Sequence, residues 1–497
     1  MEHLDNRSVA LIRGDGLGGT SRVNTLLYTR GAPLEYNHWK NMGHSAWGYD
    51  ELKPYFVRSE KSLSHSKSDF HGGDGPWENQ TFPDLQFEVL KHVRPAAAAL
   101  GIPEIPDINA PDAPPVGCAM LDVSIDASMR RASTYSAFLP ADVAFPRKER
   151  LKICTRSIVT GIEVATESSG LRAKGIYFER LDPSSKTFYA RAKREVVLCC
   201  GALGSPQLLM LSGIGPKEHL QDHGISVVRD MPGVGSHLQD HIDIPVTFET
   251  PIEDSLHVLL VQPWRAVSQL AKYFISSKGL FAMPVTQMAV FVKSSLLDDN
   301  SEIRTRVPED EDNVADIEIK AIPVNGSHIQ YPKLGVFSLL PGLVRPKSTG
   351  RVMLASTNPR DHPAVDLGFL STAEDYAVLR KGVKLALRLG EQIRLQGYPL
   401  KNLQALEGQS DEGLDSFIRA HARSGFHYSC TCRMAPETDP VHPGVVDDEL
   451  RVYGIHGLRV CDTSIFPEIL SAHTMAPAVV VAEKCADMMK SAPSSGT

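Results

Sequence analysis

Residues 195–215 constrain this chain more than any other stretch. Glu195-Val196-Val197-Leu198-Cys199-Cys200 is a short apolar run that reads as a buried strand. Gly201-Ala202-Leu203-Gly204-Ser205-Pro206-Gln207-Leu208-Leu209-Met210-Leu211-Ser212-Gly213-Ile214-Gly215 follows at once. Ser205 suits a helix cap, Pro206 the first helical position, and Gly213 the left-handed residue that ends a helix.

Near the C-terminus a second strand–turn–helix unit carries two histidines. The first lies in Ser424-Gly425-Phe426-His427-Tyr428-Ser429-Cys430-Thr431-Cys432. Further on, residues 458–461 read as a buried strand with Asp462 at its exit, followed by Ser471-Ala472-His473-Thr474-Met475-Ala476-Pro477. Residues 478–489 read as a mostly buried helix, with Thr474 as its cap and Pro477 in its first turn. His473 thus sits just ahead of a helix amide end, which discourages a second proton on its ring. A neutral imidazole accepts a proton or a hydrogen bond, as a base or substrate holder must. The same helix end would stabilise an anion. With 18 histidines in the chain, spacing alone assigns neither of these two a role.

Composition excludes several classes. The 497 residues are 42% hydrophobic and 22% charged, ordinary for a globular protein of two to four domains' length. A net charge of −7, with no Lys/Arg-rich cluster, argues against a nucleic-acid partner. No apolar run reaches the ~18 residues of a membrane span, and residues 1–5 are charged rather than a signal-peptide core, so a cytoplasmic location is the default expectation. Eight cysteines are too few for a disulfide scaffold. Cys199, Cys200 and Cys461 read as buried thiols, and Cys430-x-Cys432 lacks the spacing of a zinc site, so no metal is expected.

Toward the N-terminus, a strand-like run at residues 8–12 precedes Gly14, Gly16 and Gly19 in the pattern G-x-G-x-x-G. No second strand ending in an acid follows about 20 residues later, so the dinucleotide fingerprint is incomplete. Residues 71–76 form a glycine- and proline-rich turn, and residues 130–135 open a short helix. Residues 152–159 and 173–178 read as successive strands. Alternation in residues 316–321 and 334–340 suggests a half-exposed antiparallel sheet, residues 309–312 a solvated acidic loop, and residues 373–389 a helix.

Gly18-Gly19-Thr20-Ser21-Arg22-Val23-Asn24, with Tyr28-Thr29-Arg30-Gly31 and Trp39, resembles the first signature of the glucose–methanol–choline flavin oxidoreductases, and residues 201–215 fit every position of the second. Pro232-Gly233-Val234-Gly235-Ser236-His237-Leu238-Gln239-Asp240-His241 resembles the family's V-G-x-N-L-x-D-H turn, with His237 where asparagine is usual; His241 reads there as structural. The resemblance spans about residues 11–489. It implies an α/β, two-domain (α+β) fold, with an FAD-binding domain over 1–244 and 424–490 and an antiparallel-sheet substrate domain over 245–423. The family's dinucleotide-binding βαβ unit normally lies upstream of the first signature, so the chain is expected to be N-terminally truncated.

The resemblance also implies FAD-dependent oxidation of an alcohol. His427 would take the hydroxyl proton and His473 hold the same oxygen, while hydride leaves for the flavin and oxygen or another acceptor regenerates it. Gly18, Gly19, Thr20, Asn24 and Gly201 would lie against the cofactor, Val159 against its adenine, and Asp462 beside its ribityl and pyrophosphate chain. Thr474 and Met475 would offer amides to the ring edge. No histidine stands where a covalent link would form, so the FAD is expected to be non-covalent. Phe426 and Tyr428 hint at an apolar or aromatic primary alcohol. Two other readings stay open: a hydroxynitrile lyase on the same scaffold, and a non-catalytic remnant that binds FAD weakly.

Overall fold

A nine-stranded sheet forms the roof of the molecule. Its strands run in the order Lys401–Asn402, Val246–Thr250, Gly335–Leu343, Ile317–Ile322, Met288–Val292, Gly117–Met120 and Glu104–Ile105, with Ile242–Asp243 and Arg423–Ser424 joined at one side. All pairings are antiparallel except that of Glu104–Ile105 with Gly117–Met120. The sheet therefore draws strands from both sides of the 244/245 boundary expected from the sequence. The computed structural model describes residues 1–182, 186–304, 313–406 and 408–491; the acidic loop expected at 309–312 lies outside them.

The sheet is antiparallel as expected, but it is not half-exposed. Every residue of Ile317–Ile322 and Gly335–Leu343 is buried. One face takes the long helix Ala373–Leu395, whose Leu379, Val383, Ala386 and Leu389 join the main apolar cluster. Glu318 and Lys320 alternate with the apolar Ile317, Ile319 and Ala321, and they turn inward with the other face instead of meeting water.

The second half is built on a parallel pair, Val196–Leu198 with Leu458–Val460. Leu458–Val460 is fully buried, as its apolar run requires. Cys199 and Cys200 are exposed, correcting the expectation of buried thiols: among the described residues the sheet has only two strands here, and the thiols lie past its end. Cys461 is buried as expected.

Helix Gly201–Leu211 begins five residues earlier than Ser205 and Pro206 suggested, so Pro206 lies inside it. An interior proline cannot donate to the carbonyl four residues back. That carbonyl, Ala202 O, instead accepts the Thr431 hydroxyl at 2.6 Å. Ser205, no longer a cap, donates to Asp462 Oδ2 at 2.6 Å. Gly213 is left-handed (φ 79°) as expected.

Residues 8–12 form no strand; the Ile12 amide is held by the Tyr428 hydroxyl instead. The glycines that follow lead into a single 3-10 turn, Gly19–Arg22, not the long helix of a dinucleotide fingerprint. The next strands form the hairpin Ser157–Glu167 with Gly170–Arg180; the first starts at Ser157, and residues 152–156 stay irregular. The helix Met475–Ser491 closes this half and packs on Tyr49–Ser59, where Arg58 pairs with Glu483 and with Asp487 at 2.7 Å. A buried chain of charge, Arg30–Glu60–His71–Asp107, anchors the N-terminal segment, with contacts of 2.7, 3.1 and 2.8 Å.

Candidate active site

Strand register brings the two histidine segments together. Ile242–Asp243 pairs antiparallel with Arg423–Ser424, so His241 before one strand and Gly425 after the other share one end, and the Gly425 amide donates to His241 O at 2.8 Å. Asp240 then fixes the loop. Its carboxylate accepts the His427 amide at 2.7 Å and the Ser424 hydroxyl, while Ser424 Oγ accepts the Phe426 amide at 2.9 Å. Phe426 (φ 64°) and Cys430 (φ 74°) are both left-handed, uncommon for such residues, so His427 sits in a strained loop held by these bonds.

His473 is placed from the other side. Its amide donates to Thr29 Oγ1 at 2.8 Å, and the turn before it hangs on Glu35, which accepts the Ser471 amide and hydroxyl at 2.6 and 2.8 Å. The rings of His427 and His473 then meet edge to face, their centroids 4.8 Å apart.

The partners of each nitrogen assign the ring protons. His241 Nε2 faces the Leu470 carbonyl at 3.0 Å, an acceptor only, so it donates and leaves Nδ1 to accept in a neutral ring. His427 Nδ1 therefore donates to it across 2.9 Å, and the lone pair of His427 is at Nε2. His473 Nδ1 donates to that lone pair across 3.2 Å. On its far side His473 Nε2 faces the Glu318 carboxylate, an acceptor, at 3.0 Å.

Electrostatics agree with neutral rings at His241 and His427. Burial, then His473 and Lys320, pushes the pKa of His241 down to about 3. Burial, then His473 and His241, holds His427 well below the ordinary histidine value. Burial works to raise the Glu318 carboxyl, but His473 and Lys320 outweigh it and bring it down to about 2. Lys320 is held above its usual value: burial opposes the charge, and Asp243 and Glu318 prevail.

The Glu318 carboxylate gives His473 Nε2 a buried partner that the helix-end argument did not include.

Sheet register also explains Glu318. Glu318 and Asp243 both lie opposite Gly342 on the strand between them. Lys320 Nζ reaches Asp243 at 2.8 Å, and a Cβ on Gly342 would stand 2.6 Å from Asp243 Oδ1. The glycine leaves the room that this buried ion pair occupies.

Gly18 (φ 92°) and Gly19 (φ 52°) make a left-handed turn, and Thr20 Oγ1 accepts the Gly14 amide at 3.1 Å. Asn24 Nδ2 lies 2.9 Å from the sulfur of Met475, joining this turn to the start of the last helix. Thr474 directly precedes that helix, and the Met475 amide has no partner within it. Gly201 opens its own helix and donates to Asp462 Oδ2 at 2.9 Å. Val159 stands on the hairpin opposite Phe178, half-buried against the apolar cluster that also takes Met475. Tyr428 turns its hydroxyl to the Ile12 amide at 3.1 Å, away from any substrate role for that oxygen.

The FAD that the resemblance implies needs amides aimed at anionic oxygens and room for a flat ring. Gly19 and Gly201 are left-handed with open space where a side chain would stand, and two helix amide ends sit beside them. Exposed Ile12, Leu17 and Val23 border the same segment. This donor set fits FAD.

Sequence reasoning missed Asp240 and Glu318, and it read His241 as structural although its ring touches His427. The adjacent Asp240-His241 and the charges at 316, 318 and 320, spaced for one strand face, were the available signals.

Comparison with known proteins identifies the family. Family models described as GMC oxidoreductase match residues 1–243 and 346–482. The oxygen-dependent choline dehydrogenase of Burkholderia vietnamiensis is 33% identical over 494 residues, 98% of this chain and 81% of that protein. Among solved structures, an FAD-dependent oxidoreductase from Chaetomium thermophilum superposes with a TM-score of 0.84 at 24% identity, covering 98% of this chain and 88% of that one. Pyridoxine 4-oxidase from Mesorbium loti superposes with a TM-score of 0.82 at 25% identity, covering 98% and 86%. The N-terminal family match starts at residue 1, so the expectation of a missing N-terminal unit finds no support.

Proposed function

The chain belongs to the GMC oxidoreductase family and carries out FAD-dependent oxidation of an alcohol, and from that premise we propose that His427 is the base and His473 the ring that holds the alcohol oxygen. The observation that carries this reading is the 3.2 Å contact between His427 Nε2 and His473 Nδ1. A lone pair and an N–H face each other there, and an alcohol hydroxyl entering between them satisfies both. Its proton goes to His427 Nε2, and the developing negative oxygen keeps the donor from His473. Glu318 fixes the ring of that donor from its far nitrogen, and His241 holds His427 in the tautomer whose reactive lone pair faces the substrate. When bound, FAD supplies the ring that takes up hydride from the carbinol carbon, and oxygen or another acceptor discharges it.

Gly18, Gly19, Thr20 and Asn24 are assigned to the cofactor's cradle, with Gly201 and Asp462 at the amide end of the second signature helix. Thr474 and Met475 serve the flavin edge and Val159 the adenine. Binding is non-covalent in this reading. Residues 1–244 with 424–490 hold the cofactor, and 245–423 roof it together with the two strands borrowed from residues 104–120. The half-buried Phe426 ring beside His427 favours an apolar primary alcohol.

Anaerobic mixing of the flavin-loaded protein with excess benzyl alcohol tests the assignment: the yellow absorbance should bleach as the aldehyde forms. His427→Asn should keep its flavin and bleach ~10²–10⁴-fold more slowly. A flavin that stays yellow while a hydroxynitrile is cleaved would replace oxidation with the lyase reading.

A further inference from the structure

Helix Pro263–Ser276 is turned inside out. None of its 14 residues is buried. At about 100° per residue, Trp264, Val267, Leu270, Ala271, Phe274 and Ile275 share one face, and that face points to solvent. Trp264 is 67% exposed, Val267 69%, Phe274 77% and Ile275 86%. The inward side is the more polar one: Tyr273 donates its hydroxyl to Met129 O at 3.3 Å, and Gln269 accepts the Leu280 amide at 3.1 Å. Leu260 before the helix and Phe281 after it extend the exposed apolar surface. A patch of this kind needs an occupant.

Charge narrows the choice. The chain as a whole carries −7, yet from residue 255 to residue 297 there is no aspartate or glutamate. Arg265 and Lys272, seven residues apart, lie along one flank of the apolar stripe, and Lys278 follows the helix end. A twofold contact between two copies of this face would set like charges against like. An anionic lipid surface offers the complement: apolar depth for Trp264, Phe274 and Ile275, and phosphate-bearing headgroups for the cations. Among the described residues no helix is long and apolar enough to cross a membrane, and this one is too short to try.

We propose that helix Pro263–Ser276 is an interfacial anchor that lays its exposed Trp264–Ile275 face into an anionic bilayer surface. The site chemistry plays no part in this assignment, so it stands or falls apart from the alcohol-oxidation reading.

Trp264 makes the test direct, because Trp39, Trp47 and Trp77 are almost fully buried. The flavin-loaded protein is titrated with vesicles of phosphatidylcholine alone and with vesicles containing phosphatidylserine. The expected result is a blue shift of tryptophan emission on the anionic vesicles, quenched by brominated acyl chains. Affinity should be about tenfold or more higher than for phosphatidylcholine and should weaken with salt. Phe274→Ser with Ile275→Ser should lower vesicle affinity at least about tenfold, with oxidation of a soluble alcohol unchanged. Lys272→Glu, which keeps the apolar face, should cut the preference for anionic lipid. Absence of vesicle binding at low salt overturns the proposal. So does a dimer in solution that the Phe274/Ile275 double variant dissociates, since the face would then belong to a protein contact.

Discussion

Glu318 is the residue on which the charge balance of the site turns. Its carboxylate accepts from His473 and lies 3.7 Å from Lys320. Glu318→Gln removes one charge-assisted hydrogen bond, worth ~1.5–3 kcal/mol, or about 10–100-fold in rate if its strength is needed in the transition state. The expected result is a fall in kcat of that order with a shifted pH profile, read by steady-state kinetics; unchanged pH dependence would reduce Glu318 to a packing role. Because His427 takes up a proton only well below the ordinary histidine pKa, the wild-type acid limb of kcat/KM should lie below pH 6.5. His427 and His473 were singled out of 18 histidines by the family resemblance, and their rings lie 4.8 Å apart. Glu318 was not legible: alternation of charged and apolar residues along a strand looks the same whether the polar face meets water or an active site. His237, where the family resemblance expects asparagine, is left-handed (φ 58°), a conformation that asparagine and histidine both tolerate better than most residues.

Among the elements, the helix Gly201–Leu211 shows how a local rule gives way to a distant partner. Ser205-Pro206 is a good helix start by itself, and the structure overrides it because Thr431, more than 200 residues away, satisfies the carbonyl that the proline abandons. Thr431→Val should therefore leave Ala202 O buried and unpaired, at about 1–3 kcal/mol, measured as a lower unfolding midpoint. In the sheet, Gly342→Ala should be worse than its small volume suggests, because the new methyl meets the Asp243 carboxylate and displaces the buried Lys320 pair. Breaking one side of such a pair costs ~3–5 kcal/mol, and the loss should appear as reduced yield of folded protein. The strands Ile317–Ile322, Gly335–Leu343 and Leu458–Val460 were legible from β-branched runs and alternation, whereas the similar run at 8–12 forms none. The joining of residues 104–120 to a sheet otherwise drawn from later sequence was not, since register between distant strands leaves no periodic trace.

For the whole molecule, stability should peak near neutral pH. His237 and His241 are both held down to about 3, mainly by burial, against about 6.5 in an unfolded chain. Between those values the unfolded state binds protons that the folded state refuses, so stability falls as pH drops below about 6.5. His71 runs the other way: burial opposes its proton, but Asp107 and Glu60 prevail and raise it to about 9. Its contribution is complete below about 6.5 and is lost as pH rises through 9. Melting temperature against pH should show both limbs, and His71→Gln should flatten the alkaline one. The long reach of the chain has a temporal meaning as well. His473 is fastened to partners 444, 155 and 46 positions away. At roughly 5–20 residues per second of synthesis, Thr29, Glu318 and His427 wait for residue 473 to be made. On the proposed assignment the cofactor's cradle is complete only once Thr474 and Met475 have been made, so loading should follow synthesis.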